Sequence, residues 1–267
     1  MRKNKQKEEF MKIFSVNLRA AFEAVVKDFS SLREIRLRAE APMVFRFIDG
    51  EWYLSKNRTL CTDLNLAMTI PVSEIKETME YISNYSMYAY EEEIKQGFIT
   101  VAGGHRIGIA GQVVLEHTGA IRTIKHISGL NIRVSHQKKG VAQGVLPYLF
   151  EKGRLKSTLI VSPPGCGKTT LLRDLIRLIS NGNEYACGQT VGVVDERSEI
   201  AGAFMGKPQN DVGIRTDVLD ACPKVLGMML LLRSMSPKVI AIDELGGREE
   251  AEAVKTACNC GVRILAT

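Results

Sequence analysis

One short run constrains the fold more than any other part of this chain: a loop of small residues that ends in lysine and threonine. The run is Ser162-Pro163-Pro164-Gly165-Cys166-Gly167-Lys168-Thr169, and it follows the apolar stretch Leu159-Ile160-Val161. A strand, such a loop and a helix in this order form a phosphate-binding loop, in which backbone N–H groups and the positive end of the helix face an anion. The sequence therefore predicts a nucleotide site beside a strand and a helix.

The residues of this loop have separate predicted roles. Lys168 is expected to neutralise the β- and γ-phosphate oxygens, and Thr169 to offer its hydroxyl to Mg²⁺. Nucleotide contacts are predicted for Pro164, Gly165, Cys166, Gly167, Lys168, Thr169 and Thr170. Ser162 replaces the usual first glycine, which bears on how the loop leaves its strand and not on the phosphate contacts. The loop encodes no base contacts, so ATP and GTP both stay open.

The composition is that of an ordinary globular chain. Of 267 residues, 45% are hydrophobic and 25% charged, which allows one large domain or two ordinary ones. The formal charge of +6 suits an anionic ligand without identifying it. No apolar stretch is long enough to span a membrane and the amino terminus is charged, so a cytoplasmic protein is expected.

Cysteine and histidine give no sign of a metal site. The six cysteines lack disulfide-framework or CxxC spacing, so reduced thiols are expected. The four histidines are scattered, without metal-ligand spacing or a partner nucleophile, so neither a zinc site nor a Ser/His/Asp hydrolase is predicted.

The chain changes character near its middle. The first half mixes helical patterns at 10–30 and 72–95 with hairpin signals, which predicts an α+β domain over 1–138. A polar linker with a short helix over 143–152 is predicted at 139–154. In the following domain, 155–267, apolar strand-like runs alternate with helices, which favours a mainly parallel sheet covered on both faces.

Two predicted strands of the second domain end in acidic residues. Val239-Ile240-Ala241-Ile242 is followed by Asp243 and Glu244, and such an acid beside a phosphate loop holds Mg²⁺ while the next carboxylate polarises water. The strand that begins at Val191 ends in Asp195-Glu196, with Glu199 shortly after. Because parallel strands bring their carboxyl ends to one edge, both sets of acids are expected there. The acids of the second set either help to position water and Mg²⁺ or pair with Arg197 or another arginine.

These segments together resemble the hexameric secretion ATPases, the motors of type II and type IV secretion and of type IV pili. Three further segments bring the resemblance to the stage III sporulation AA family of endospore-forming bacteria, over essentially the whole chain: 103–111, 130–134 and 222–237. The resemblance implies an α/β protein in which an N-terminal α+β domain precedes a RecA-like P-loop ATPase domain.

The resemblance also implies catalytic roles. Glu196 and Glu199 fall in an acidic box where a carboxylate positions water, and Glu244 matches the glutamate of a second acidic motif beside the Mg²⁺ ligand Asp243. The N-terminal domains of such motors supply arginines to the phosphates. Arg106, Arg122 and Arg133 are the candidates, and of these Arg106 and Arg133 are favoured. The alternative for each is an ordinary exposed strand residue.

The implied function is Mg²⁺-dependent ATP hydrolysis by a ring, expected to be a hexamer, which energises a membrane export or channel complex between mother cell and forespore. The protein would meet the membrane only through integral-membrane partners. A nucleic-acid-stimulated motor is an alternative, although no aromatic and basic stripe supports it. A nucleotide-dependent scaffold with little hydrolysis is another. The His-containing motif that follows the last strand in such motors is absent, so a truncated chain is expected.

Overall fold

The computed structural model describes residues 2–267, with side chains from Lys7 onward. The chain divides into two compact units, the first ending at His136 and the second running Gln137–Thr267. Each unit has its own hydrophobic core.

The first unit packs helices on an antiparallel sheet. Its helices are α1 (Arg2–Met11), α2 (Val16–Val25), α3 (Val72–Ile82) and α4 (Glu91–Lys95). Its strands are β1 (Leu32–Arg38), β2 (Ala41–Pro42), β3 (Val44–Phe47), β4 (Gly50–Leu54), β5 (Leu60–Cys61), β6 (Thr69–Ile70), β7 (Phe98–Val101), β8 (His105–Leu115) and β9 (Ile121–Arg133). Seven of them form one sheet in the order β5-β4-β3-β1-β9-β8-β7, with every neighbouring pair antiparallel.

The second unit is built on a parallel sheet. Its helices are α5 (Leu146–Leu149), α6 (Lys168–Asn181), α7 (Lys224–Ser234) and α8 (Arg248–Asn259). Its strands are β10 (Phe150–Glu151), β11 (Arg154–Leu155), β12 (Thr158–Leu159), β13 (Gly182–Asn183), β14 (Ala186–Cys187), β15 (Val191–Asp195), β16 (Thr216–Asp220), β17 (Val239–Ile242) and β18 (Arg263–Ala266). Five strands pair in parallel in the order β12-β18-β17-β15-β16, which confirms the predicted α/β class and the parallel sheet.

Helices cover both faces of this parallel sheet, because its strands are apolar on both sides. In β17, Val239 and Ala241 pack in the core beneath α6, whereas Ile240 and Ile242 pack in the core beneath α7 and α8. Helix α6 contributes residues spaced i, i+3, i+4 and i+7, which lie on one helical face: Leu172, Leu175, Ile176 and Ile179. This packing anchors the start of α6, where the phosphate loop ends.

The region between the predicted domains differs from a polar linker. Residues 139–154 belong to the second unit, and Ala142, Leu146 and Leu149 are buried in its core. The helix predicted over 143–152 is wrong beyond Leu149, because Lys152 and Gly153 both have positive φ, 49° and 75°, and turn a short β10–β11 hairpin. The strand β16 was not predicted from its sequence, in which three of the five residues are polar.

Candidate functional site: a phosphate loop beside two acidic strand ends

The phosphate loop connects β12 to α6 and is shaped by two glycines. Gly165 and Gly167 have φ of 78° and 87°, a left-handed conformation that glycine adopts without strain. A Cβ atom at either position would meet nothing within 4 Å, so both glycines are needed for backbone conformation and not for space. Successive N–H groups in such a loop form an anion-binding concavity. The loop therefore fits a phosphate group at the start of α6.

Lys168 folds back across its own loop. Its ammonium group donates hydrogen bonds to the carbonyl oxygens of Ser162 at 2.9 Å and Pro163 at 3.3 Å. The remaining predicted contacts lie close by: Pro164, Gly165 and Cys166 are exposed on the loop, and Thr170 is half-buried on α6.

Thr169 and Asp243 are brought together although they lie 74 residues apart. The Thr169 hydroxyl donates a hydrogen bond of 2.8 Å to one carboxylate oxygen of Asp243, at the end of β17. The Thr267 hydroxyl, at the end of the neighbouring strand β18, donates to the other oxygen. A hydroxyl and one carboxylate fit Mg²⁺, which keeps several waters and takes the rest of its ligands from substrate phosphates. In residues 2–267 there is no cluster of three His, Cys, Asp or Glu side chains arranged to hold a metal.

Glu244 follows Asp243 in an unusual conformation. Its φ is 54°, a left-handed value that is disfavoured for a residue with a side chain. Its N–H donates to the Thr267 hydroxyl at 2.9 Å, which holds this turn, and Arg197 Nη1 lies 2.5 Å from its carboxylate. The carboxylate thus stands at the mouth of the cleft, paired with an exposed guanidinium.

Asp195, at the end of β15, is turned inward. Its side chain is 1% exposed, and its two oxygens accept N–H bonds from Glu199, Ile200 and Ala201 at 2.8–3.1 Å. Burial raises the pKa of Asp195 above its ordinary range, although these three N–H groups act in the opposite direction. Asp195 is therefore neither a plain surface charge nor placed like Asp243.

A buried arginine lies beneath this turn. Arg173 of α6 donates to the carbonyl oxygens of Ile200 at 2.6 Å and Glu199 at 2.5 Å. Burial lowers the pKa of Arg173, and the charges of Asp195, Asp243 and Glu199 act to raise it. The guanidinium compensates the concentration of acids at this edge of the sheet.

Glu196 and Glu199, the other two acids of the second set, line the cleft. A Glu196 carboxylate oxygen lies 2.7 Å from the ammonium group of Lys224 of α7. The backbone N–H of Glu199 donates to Asp195, and its carbonyl oxygen accepts from Arg173. One small cleft has both acidic strand ends in its lining, which consists of Asp195, Glu196, Arg197, Glu199, Lys224, Asp243 and Glu244. Of the alternatives left open by the sequence, a pairing of Arg197 is observed with Glu244.

The candidate arginines lie in the first unit. Arg106 of β8 and Arg133 of β9 are direct cross-strand partners, and the Arg106 guanidinium stacks 3.6 Å from the ring centre of Phe98. The two arginines thus lie side by side on this sheet, and Glu34 of β1 is the other cross-strand partner of Arg133. Arg122 is exposed towards the other end of β9, eleven residues before Arg133.

Three residues of the site were not found from the sequence: Arg173, Lys224 and Thr267. Thr267 had a usable signal, because it follows the apolar strand Ile264-Leu265-Ala266 and the carboxyl ends of parallel strands meet at one edge. Arg173 and Lys224 had none, since an arginine or lysine in a helix is usually solvated.

Among the helices of residues 2–267, none combines the length and the apolar character needed to cross a bilayer.

Comparison with solved structures shows the fold. The pilus retraction motor PilT with bound ADP superposes with a TM-score of 0.58 at 16% identity, over 94% of this chain and 65% of that one. The Legionella pneumophila ATPase DotB gives 0.54 at 14% identity, over 94% and 63%. The chain thus spans slightly less than two thirds of these solved chains, and it shares the fold of secretion ATPases.

Sequence comparison is more specific. A Bacillus subtilis (strain 168) protein named stage III sporulation protein AA is 50% identical over 246 residues, which are 92% of this chain and 76% of that protein. A sequence model of the family described as "Sporulation stage III, protein AA" matches residues 4–267. The chain belongs to this sporulation family.

Proposed function

We propose that this chain is a Mg²⁺-dependent ATPase that works as the motor of a membrane export or channel complex in spore formation. The observation that carries the proposal is the hydrogen bond between Thr169, at the end of the phosphate loop, and Asp243, at the end of β17. It brings a phosphate cradle and a metal-binding pair to one edge of the parallel sheet. Bound Mg²⁺ would neutralise charge on the phosphates during transfer.

The loop residues bind the nucleotide in this proposal. The N–H groups around Gly165 and Gly167 hold phosphate oxygens, while Lys168 exchanges its two loop carbonyls for them. Thr169 and Asp243 hold the metal through their oxygens. Because both side chains are already in contact, little reorganisation is needed on binding.

Glu244 is proposed to orient the attacking water. Its pair with Arg197 is exposed, with 60% and 54% of the two side chains accessible, so the pair separates at little cost in free energy. The left-handed backbone at Glu244 supports this role, since residues kept in a strained conformation concentrate at functional sites. Glu196 and Glu199 are proposed to assist from the opposite wall of the cleft.

Arg106 and Arg133 are proposed to supply positive charge to the phosphates. Their cross-strand pairing supports this, because two guanidinium groups on one patch stabilise the charge of a transferring phosphoryl group. Supplying them from a separate compact unit would couple hydrolysis to domain motion.

Assembly into a ring, expected to be a hexamer, and action on integral-membrane partners between mother cell and forespore are part of the proposal. They rest on membership of the sporulation family and on the secretion-ATPase fold. The protein would then be cytoplasmic and reach the membrane through those partners.

The experiment is steady-state ATP hydrolysis across chain concentrations that span ring assembly. The parent is compared with Lys168→Ala, with Glu244→Gln and with Lys255→Ala as a matched control, an exposed lysine on α8. We expect turnover per chain that rises with concentration, a loss of about 100-fold in Lys168→Ala, and no change in Lys255→Ala.

Two results would contradict the motor. Nucleotide binding that Lys168→Ala abolishes, without turnover in the parent, would indicate a nucleotide-dependent scaffold. Turnover that depends on added single-stranded DNA or RNA and falls steeply with salt would indicate a nucleic-acid motor.

A further inference from the structure

Lys224 joins the two acid-bearing loops of the cleft. It opens α7, and its ammonium group lies 2.7 Å from a Glu196 oxygen and 3.3 Å from a Glu250 oxygen. Glu196 follows β15, while Glu250 lies in the first turn of α8, after β17. The Lys224 side chain is only 11% exposed, so this pairing is not the solvated contact of a surface lysine.

Glu250 extends the bridge to the backbone that follows Asp243 and Glu244. Its second carboxylate oxygen accepts the N–H of Gly246 at 2.9 Å. Burial works to raise the pKa of Glu250, but the Gly246 N–H and the Lys224 charge together leave it below the ordinary range. Glu250 is thus held by both neighbours, and the chain of contacts runs from Glu196 to Lys224, Glu250 and Gly246.

The cleft that Lys224 lines has an excess of negative charge. Five carboxylates line the cleft against two cations, Arg197 and Lys224. The Arg197 side chain is 60% exposed and contributes little to the fixed structure. Of the two cations in the lining, Lys224 is the one with a mostly buried side chain; it bridges Glu196 and Glu250, while Arg173 lies beneath the turn after β15.

We propose that Lys224 is a positioning residue, which sets the orientation of Glu196 and, through Glu250, the place of the loop that carries Asp243 and Glu244. This inference rests on the proposed function of the cleft. Lys224 touches no phosphate in the proposal and acts through the acids that it holds. Its removal would therefore displace the metal-binding carboxylate, even though it makes the cleft more negative.

The sign of one measurement separates positioning from plain electrostatics. The probe is a fluorescent ADP analogue, and the readout is the Mg²⁺ concentration that half-saturates its binding. Loss of a cation from an acidic cleft would by itself tighten Mg²⁺ binding and lower this concentration. Loss of a positioning residue raises it, by about tenfold, as is typical when a partner of a metal ligand is removed.

The variants are Lys224→Met, Lys224→Arg and Glu250→Gln, with Lys255→Met as the control. We expect the tenfold rise in Lys224→Met, a smaller rise in Glu250→Gln, and values within about twofold of the parent in Lys224→Arg. Far-UV circular dichroism and thermal unfolding check each fold, and Glu250→Gln serves if Lys224→Met does not fold. An unchanged or lowered half-saturating Mg²⁺ in Lys224→Met, or no rescue by arginine, would overturn the proposal.

The same variants keep this inference separate from the proposed hydrolysis. In a hydrolysing parent, Lys224→Met should lower kcat by about tenfold with KM for ATP changed by less than about threefold. If the parent binds Mg²⁺ and ADP without turnover, the proposal of a motor is contradicted. The positioning role of Lys224 is then tested by the Mg²⁺ dependence of nucleotide binding alone. A parent that binds no nucleotide would overturn both.

Discussion

The two acidic strand ends of the second unit have the same Asp-Glu sequence, but the two aspartates differ in burial and in hydrogen-bond partners. Asp195 ends β15, is 1% exposed and accepts three backbone N–H bonds. Asp243 follows β17 and accepts two hydroxyl groups, from Thr169 and Thr267, at the mouth of the phosphate loop. The same residue type at the same edge is thus bonded to backbone N–H groups in one case and to two side-chain hydroxyls beside the phosphate loop in the other.

The glutamates that follow repeat the contrast. Glu196 is held by Lys224, whose side chain is 11% exposed, whereas Glu244 is paired with Arg197, whose side chain is 60% exposed. The ion pair of Glu196 is thus mostly buried on its lysine side, whereas the ion pair of Glu244 is exposed on both sides. The neighbours of an acid, more than its position at a strand end, therefore decide its role.

The largest expected effect concerns the two glutamates. Glu244→Gln should lower ATP turnover by about 1000-fold, because the amide can no longer polarise water. Glu196→Gln should lower it by only about tenfold, because the amide oxygen still accepts from Lys224. Single-turnover hydrolysis of radiolabelled ATP measures both. Equal losses in the two variants would remove the contrast.

Stability should separate the two aspartates. Asp195→Asn places an amide N–H₂ group against a backbone N–H donor in a buried site, so we expect a loss of about 2 kcal/mol in the free energy of unfolding. Asp243→Asn should change it by less than about 1 kcal/mol, because its partners are hydroxyls that can also accept. Urea unfolding followed by circular dichroism gives both values. A more severe loss in Asp243→Asn would reverse the assignment.

The Thr169 hydroxyl is expected to affect nucleotide binding by contributing to Mg²⁺ binding. Thr169→Ala is expected to raise the half-saturating Mg²⁺ for ADP binding by about tenfold, while Thr169→Ser keeps the oxygen and stays close to the parent. Fluorescence titration in the presence and absence of EDTA measures it. Equal effects of alanine and serine would show that the methyl group, and not the oxygen, is important.

The free energy of unfolding should depend on pH in part through the protonation of Asp195. Its pKa is raised by burial above the ordinary 3.8, so the folded state binds this proton more tightly than the unfolded state does. This contribution favours folding below pH 3.8 and is lost as the pH rises through the folded-state pKa. The difference in free energy of unfolding between parent and Asp195→Asn should therefore decrease from pH 3.5 to pH 7, and the decrease should be no more than roughly 1 kcal/mol. A difference that grows with pH would mean that burial does not dominate.

The smallest effect is expected at the exposed pair. Arg197→Gln should change the free energy of unfolding by less than about 1 kcal/mol, since exposed ion pairs are weak. Turnover should stay equal to the parent or rise slightly, because Glu244 no longer has to leave a partner. A loss of turnover greater than about tenfold would assign Arg197 a direct part in the chemistry.

Local signals in the sequence predicted much of the second unit. The loop, the helix over 168–180 and the strands with acidic ends follow from hydrophobic period and small residues, and α6 indeed runs Lys168–Asn181. The helix over 143–152 was wrong beyond Leu149, because the Lys152-Gly153 turn depends on backbone conformations that a periodic pattern does not encode.

The contrast between the acidic ends was not predictable. Lys224 meets Glu250 across 26 residues and Thr169 meets Asp243 across 74, so no local pattern records either contact. The burial of Asp195 depends on the turn over 199–201 folding back onto it, with Arg173 beneath. Such relations exist only once the sheet has brought distant residues to one edge.

The different roles of Asp243 and Asp195 are tested most directly by Mg²⁺-dependent nucleotide binding of Asp243→Asn and Asp195→Asn side by side, at a temperature where both are folded. We expect the Mg²⁺ concentration that half-saturates ADP-analogue binding to rise about tenfold or more in Asp243→Asn, and to stay within about threefold of the parent in folded Asp195→Asn. Loss of Mg²⁺ dependence in Asp195→Asn alone, with Asp243→Asn like the parent, would contradict these roles.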